Sequence, residues 1–445
     1  MRFYEFTATV CLLFGQWGCD QRMNGTSPSS ATPSRAASRA APVIRSNVEP
    51  QSKKVSRSGF ASVARPPVIA EGKEPSLRTQ ASAGARRNSV TRARSAASIR
   101  VSGAAQFIRL SLELQTSLDA VRGEINVADP SCPPKSIALT DSAGTVQIDT
   151  DRPPDFTGSE SKLYVSSTLV DGKRVVVKTA VSTRPLILKG MIDDYAFMSV
   201  FKDSGIVPQL FPIDTSAIPQ SCALRMMVSE FVGQHELKQL TAVPEPARAK
   251  ALAGAAAKIL EIIRAVHKEG LVHGDIHFKN FVYADAANVA GTLRLIDFGR
   301  AVPFIDSEGR NLPDEEVDYG AGWNAWHLSP WEMQKRRKTR RDDMFRIAET
   351  LLRVGGMDTA FAAIQDAVLV SLQAALTAQG LAVKPTRTRQ YKEFLLENKL
   401  NRPLADSVPR IYVEFYQYCV ALQALAEPDY AAWISRFQAY AATLP

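Results

Sequence analysis

The chain reads as an α+β protein of two lobes, a small β-rich one followed by a larger helical one. Three observations carry this. Short strand-like runs bounded by turn residues crowd into 136–232. Helical periodicity takes over at Ala247 and dominates beyond Asp342. The 340 residues from Gln106 onward are long enough to bury one large bilobal core.

The N-terminal fifth is different in kind. The 445 residues carry 54 Lys and Arg against 45 Asp and Glu, a formal charge of +9. Between Gln21 and Ala105 there are fifteen basic and three acidic residues, which leaves −2 for everything from Gln106 on. The basicity therefore belongs to an arm, and a nucleic-acid partner is not expected from the pI. With 45% apolar residues overall, a wholly disordered chain and a small disulfide scaffold are excluded. A multispanning membrane protein is excluded too, because no run of 18 apolar residues occurs.

Taken in order, residues 1–19 read as a secretory signal. Met1-Arg2 precedes the apolar stretch Phe6 to Gly18, with cleavage near Gly18 or Cys19, although Glu5 and Gln16-Trp17 fit a cytosolic amphipathic start. Asn24-Gly25-Thr26 is a glycosylation acceptor if the chain is exported. Residues 20–105, rich in Ser, Ala, Pro and Arg, cannot offset their own ordering entropy and are expected to be disordered. Arg86-Arg87-Asn88-Ser89 in this arm has the form of a basophilic phosphorylation target, a form that arms of this composition also produce by chance. The arm's charge also suits contact with an anionic membrane or an acidic protein.

Residues 106–135 form a helical extension. Phe107, Leu110, Leu114, Leu118 and Val121 recur at helical spacing, which predicts a helix over 107–127 that packs on the domain behind it, or lies on a membrane. Strands follow at 136–139, 145–149, 162–167 and 173–179, the last two joined as a hairpin by Val170-Asp171-Gly172. Met191 to Phe201 reads as a helix and Arg225 to Val232 as a strand ending the small lobe, 136–232. The large lobe, 233–445, opens on an Ala-rich helix over 247–269 that Gly270 ends. Cys132, Cys222 and Cys419 have no metal spacing; they read as buried thiols, or, in an exported chain, as a Cys132–Cys222 bridge plus one thiol.

Chemistry concentrates in Leu271 to Ala301, LVHGDIHFKNFVYADAANVAGTLRLIDFGRA. His273-Gly274-Asp275 is followed five residues after the Asp by Asn280, and then by a strand over 293–296 that runs into Asp297-Phe298-Gly299. Phosphoryl transfer from ATP needs a carboxylate to orient or deprotonate the acceptor hydroxyl, and oxygen ligands that fix Mg²⁺ on the phosphates. Asp275 supplies the first; Asn280 and Asp297 supply the second.

This spacing resembles the protein kinase superfamily, and further landmarks stand in order on both sides. Val175-Val176-Val177-Lys178 looks like the strand whose lysine holds the α and β phosphates. The helix that should carry its Glu partner has none; Asp194 is the nearest match, with Asp193 as the alternate. Ser229 to Val232 resembles the hinge, where backbone groups at Glu230 and Val232 would meet adenine. Leu328-Ser329-Pro330-Trp331-Glu332 resembles the end of an activation segment, and Asp343 resembles the Asp that ties the catalytic loop's backbone. The resemblance runs from Ser136 to the C-terminus, and it implies a bilobal protein-kinase-like fold with ATP and Mg²⁺ as cofactors and proteins as substrates.

Three positions depart from the pattern. The phosphate-covering loop aligns with Gly158 to Val165 and keeps only Gly158 and Val165. Gly274 replaces the Arg that in many relatives reads a phosphorylated activation segment. His277 stands where a catalytic Lys is usual, and Lys279 is the candidate substitute. Leader, basic arm, helical extension and lost glycine loop together resemble the secreted rhoptry and dense-granule kinases of coccidian parasites, especially the branch without a glycine loop. That resemblance implies secretion into a parasitophorous vacuole. Two other readings compete. His273-Gly274-Asp275-Ile276-His277 is also the usual form in small-molecule kinases of the aminoglycoside phosphotransferase type, and the degraded loop also suits a pseudokinase scaffold.

Overall fold

The computed structural model describes residues 102–126, 131–140, 144–158, 160–233, 235–317 and 328–445. The leader, Asn24, Arg86 to Ser89, the arm up to Val101, and Ser159 lie outside these residues. The two-lobed α+β organisation is the one expected.

Helix α1 (Gly103–Val121) begins inside what reads as the end of the arm, because the Ser102 hydroxyl accepts from the Ala105 amide and caps it. Its apolar face is covered by protein rather than left for a membrane. Phe107, Leu118 and Val121 are buried, and Ser111 Oγ donates to Asp193 Oδ1 at 2.6 Å. The Gly103 and Ala104 amides reach the other lobe, donating to Glu269 Oε2 (3.0 Å) and to its carbonyl (2.7 Å).

In the small lobe β1 (Ser136–Ala138) and β2 (Thr145–Gln147) make a two-stranded sheet, each shorter than its apolar run. The main sheet is antiparallel and ordered β3-β4-β5-β7-β6: β3 (Phe156–Thr157), β4 (Ser161–Val170), β5 (Lys173–Ala180), β6 (Leu210–Phe211) and β7 (Met226–Glu230). The β4–β5 hairpin turns on Asp171 and Gly172, both at positive φ (50° and 75°), the conformation that matches the twist of paired strands. Period-2 alternation sorts β5: Val175 and Val177 are fully buried in the lobe's core, while Val176 and Lys178 face the interlobe cleft.

A disulfide joins Cys132 to Cys222, with Cα atoms 5.8 Å apart, and so fastens the approach to β1 to the short helix Gln220–Ala223 ahead of β7. Cys419 remains a buried thiol. Helix α2 (Pro185–Phe201) starts six residues before its expected Met191, with Pro185 in its first turn, where the missing amide costs nothing.

After β8 (His235–Glu236), the large lobe is built around α3 (Ala247–Lys268), with Ile259, Leu260, Ile262 and Ile263 wholly buried. The catalytic-loop region contributes β9 (Leu271–Val272), β10 (Phe281–Tyr283), β11 (Arg294–Leu295) and β12 (Val302–Pro303). Among the described residues five further helices of twelve residues or more belong to the lobe: α4 (Arg340–Val354), α5 (Thr359–Ala378), α6 (Arg389–Leu400), α7 (Arg410–Ala421) and α8 (Tyr430–Thr443). Among the described residues α5 alone is long and apolar enough to cross a membrane. It lies on the surface, with Val370 68% exposed.

Glu349 on α4 anchors a buried ionic cluster, bonded to Lys399 Nζ (3.1 Å), Arg346 Nη1 (3.3 Å) and Arg402. Burial alone would raise its pKa; Lys399, Arg402 and Arg346 instead hold it down at about 2. Glu349→Gln leaves these cations buried beside a neutral group, so at pH 7 we expect a loss of about 3–5 kcal/mol in urea denaturation. The folded carboxyl's pKa lies below its ordinary 4.5, so this stability is present above that value and is lost as the pH falls toward 2. The gap between wild type and variant should therefore narrow in acid. A gap that is constant from pH 6 to pH 3 would show that the carboxylate is not what holds the cluster.

Candidate active site

The cleft between the lobes is lined from above by β4, β5, the hinge after β7 and α2, and from below by the loop before β10 and the segment after β11. Lys178 on β5 lies at its centre. Its Nζ donates to Asp194 Oδ2 on α2 at 2.7 Å and to Asp297 Oδ1 at 3.0 Å. Burial would lower the lysine's pKa, but the two carboxylates overcome this and hold it well above the ordinary value. The Lys178 charge in turn pulls the Asp297 carboxyl below its ordinary range.

Asp194, 1% exposed, has its second oxygen on the Phe298 amide (3.1 Å), so one carboxylate fixes both the lysine and the backbone beside the expected metal ligand. The alternate, Asp193, points elsewhere, to Ser111 and Lys189. A side chain one methylene shorter than Glu reaches because α2 comes in close. A Cβ added at Gly299 would lie 3.1 Å from the Gly190 carbonyl oxygen and 3.3 Å from its Cα, so the helix and the segment touch backbone to backbone. Gly190 is one turn before Asp194, on the same helix face.

Phe298 is wholly buried, stacked on Phe197 of α2 (centroids 4.0 Å apart) and edge-on to His273 (5.0 Å). Phe107 of α1 extends the row, edge-on to Phe197 at 6.4 Å.

The loop carrying Asp275 is held from below. Asp343 on α4 accepts from the His273 amide (2.7 Å) and the Gly274 amide (2.9 Å), the tie expected of it. Arg346, one turn on, donates to the Ile276 carbonyl at 3.1 Å. Asn280 Nδ2 donates to the Asp275 carbonyl at 2.9 Å, which leaves the amide oxygen of Asn280 as the ligand atom. Asp275 Oδ1 is buried with no hydrogen-bond partner, and Arg300 Nη1 stands 3.6 Å away. Asp275, Arg300, Asp297, His277 and Lys178 line one cavity that adjoins the cleft.

His277 serves this loop as a cap, its Nδ1 accepting from the Lys279 amide at 3.2 Å. Burial pushes its pKa down to about 4, so it is neutral near pH 7. Lys279 lines the cleft on the adenine side, beside Asn280. At the hinge, Glu230 and Val232 both line the cleft, and among the described residues the Val232 amide has no hydrogen-bond partner.

Gly158 lines the cavity that holds Lys178 and Asp297, but its amide already donates to the Ser161 carbonyl (2.8 Å) in the β3–β4 turn. Leu163, paired with Lys178, and Phe156 form the roof of the cleft. Val165 pairs with Val176 and so stands on the same side of the sheet, 6% exposed but not among the lining residues.

The sequence reading missed Arg300, Arg346, Phe156 and Lys338. Only the last had a local signal, six cations in the seven positions Lys335 to Arg341.

For a metal the fit is good. Asn280 and Asp297 offer hard oxygen, and Mg²⁺ usually takes few protein ligands beside phosphate and water. Among the described residues no cluster of three or more His, Cys, Asp or Glu forms a self-sufficient cage.

Fold and site together define a two-lobed scaffold with a lysine clamped between two carboxylates in one lobe-to-lobe cleft, beside a third carboxylate, Asp275, whose Oδ1 accepts no hydrogen bond from the protein. No family model matches the chain, and no curated protein is similar to it. Among solved structures it is similar to the structure of vaccinia related kinase 3, with a TM-score of 0.49 and 12% identity over 75% of this chain and 95% of that one. A likeness of that size carries no chemistry, which rests on this chain's own residues.

Proposed function

We propose that this chain is an ATP-dependent protein kinase that transfers the γ-phosphoryl group to Ser and Thr hydroxyls, and that it acts after export. The observation that carries the reading is Lys178 held at 2.7 Å by Asp194 and at 3.0 Å by Asp297, opposite Asp275 and Asn280. A bound Mg²⁺ would supply positive charge against the phosphates. Asn280 and Asp297 are the residues that would hold it. Lys178 places a full positive charge where the α and β phosphates would lie, and the Val232 amide offers a donor to adenine.

Asp275 orients the acceptor hydroxyl and takes its proton as the oxygen–phosphorus bond forms and the bond to ADP breaks. With the Gly158 amide unavailable, Lys178 and the metal ligands carry more of the phosphate charge, and weak ATP affinity follows. The Cys132–Cys222 bridge supports export, since such bonds persist in oxidising compartments.

The test is transfer of labelled γ-phosphate from ATP by the purified chain onto generic proteins and onto aminoglycoside and lipid acceptors. Labelled protein, lost on chelation of Mg²⁺, is expected. Label on small molecules alone would move the chain to the other phosphotransferase class. Nucleotide binding without any transfer would make it a scaffold.

A further inference from the structure

The run Lys335 to Arg341, KRRKTRR, would be a docking patch for polyanions in an exposed loop. Here it is largely turned inward. Arg336 Nε donates to Asp314 at 3.0 Å, Arg337 pairs with Glu315, and Arg341 lies over Trp331, 4.0 Å from the ring centroid. Both described arms of the activation segment, the one before residue 318 and the one after 327, are thereby laced together.

Lys338 goes deepest. It is 2% exposed, and its Nζ donates to the carbonyls of Gly274 (3.0 Å) and Arg300 (3.3 Å) and stands 3.6 Å from Glu332 Oε1. Gly274 immediately precedes Asp275, and Arg300 follows Asp297-Phe298-Gly299. One ammonium therefore joins the base's loop, the metal ligand's segment and the far end of the activation segment. Gly274 has no room for a side chain: its φ is +71°, and a Cβ there would lie 2.7 Å from Lys338 Nζ and 2.6 Å from the Arg300 carbonyl oxygen. The ammonium occupies the space into which a residue at position 274 would project.

We propose that Lys338 is a positioning residue, a resident cation that holds Asp275 in register with Asp297 and so makes the site competent without a phosphate on the activation segment. The proposal rests on the phosphotransfer reading above. An ammonium has three donors and no acceptor; here it gives hydrogen bonds to two carbonyls and sits within ion-pair range of one carboxylate. A pair between an added phosphate and a loop cation would do the same work, but only after modification. With the clasp built in, the segment starts in its working arrangement.

Lys338→Met tests this, alongside Lys338→Met/Glu332→Gln, in which the carboxylate left behind is neutral and its capping oxygen is kept. In both, kcat should fall about 10- to 100-fold, the cost of a misplaced base. The ATP KM should move by no more than about twofold, because the hinge and the Lys178 site are untouched. A general loosening of the fold would raise that KM along with the fall in kcat. Hydrogen exchange at 273–276 and 298–301 should quicken, and phosphatase treatment of the wild type should leave kcat unchanged. Unchanged kcat in the double variant overturns the proposal, and so does a loss of about 10-fold or more on dephosphorylation. If the wild type transfers no phosphate, the phosphotransfer reading falls and the exchange arm alone judges the clasp: unchanged exchange in both variants sinks it.

Discussion

Asp275→Asn is expected to lower phosphotransfer by about 10²- to 10⁴-fold, the usual worth of a positioned general base, while ATP binds as in the wild type. Asp275 lines the cavity that adjoins the cleft, not the adenine side of the cleft, and its Oδ1 is buried with no hydrogen-bond partner. No hydrogen bond within the protein competes for that oxygen, although Arg300 stands beside it. Asparagine keeps the shape and loses that capacity. Arg300, 3.6 Å away, would then face a neutral group, so a small gain or loss in stability is expected and is separable by denaturation. Asp297→Ala makes the contrast, since it removes a metal ligand and one of the two anions on Lys178, and should weaken Mg²⁺-ATP binding itself. Single-turnover transfer together with equilibrium nucleotide titration distinguishes the two. Near-wild-type transfer by Asp275→Asn would end the assignment.

Asp194→Ala should reduce kcat/KM for ATP by about 10²- to 10³-fold, the range expected when one partner of a buried ion pair is removed. The lysine would then have only Asp297, whose side chain is 50% exposed and is wanted by the metal. Asp194 loss thus sets Lys178 and Mg²⁺ in competition for one carboxylate, and it also frees the Phe298 amide. Asp193→Ala should cost much less, because it severs only the Ser111 and Lys189 contacts. Asp194→Glu should not be a silent change either. With Gly190 and Gly299 already in backbone contact, the helix can make room for a further methylene only by giving up that contact. The outcome that would sink this account is a silent Asp194→Ala beside a crippling Asp193→Ala.

What could be read from sequence follows the range of the interactions. Asp275, Asn280 and Asp297 come from one short stretch in which a loop and the next strand fix the geometry, so spacing alone brings them together. The β4–β5 hairpin was equally legible, because Asp171-Gly172 encodes its own turn. Asp194 could be picked over Asp193 only from its register behind Lys178. That the Gly158 amide is already used was not legible, because it depends on one backbone hydrogen bond across the turn. Arg346 was illegible and Lys338 showed only as one of a run of cations, since each acts on a partner far away in the chain. Pro185 at the head of α2 and Ser102 at the head of α1 were readable start signals, but a polar, Ser-rich setting hid them.

The way α1 is tied down bears on how the protein could be cut and still work. A protease that removed everything before Ser102 would leave every contact described here in place, including the hydroxyl that caps the helix. One that cut beyond Val121 would strip Phe107 from the Phe197–Phe298 stack, Ser111 from Asp193 and both amides from Glu269. Trimming up to Ser102 therefore spares the contacts among the described residues. A recombinant version begun at the first strand, Ser136, would be missing part of its own core.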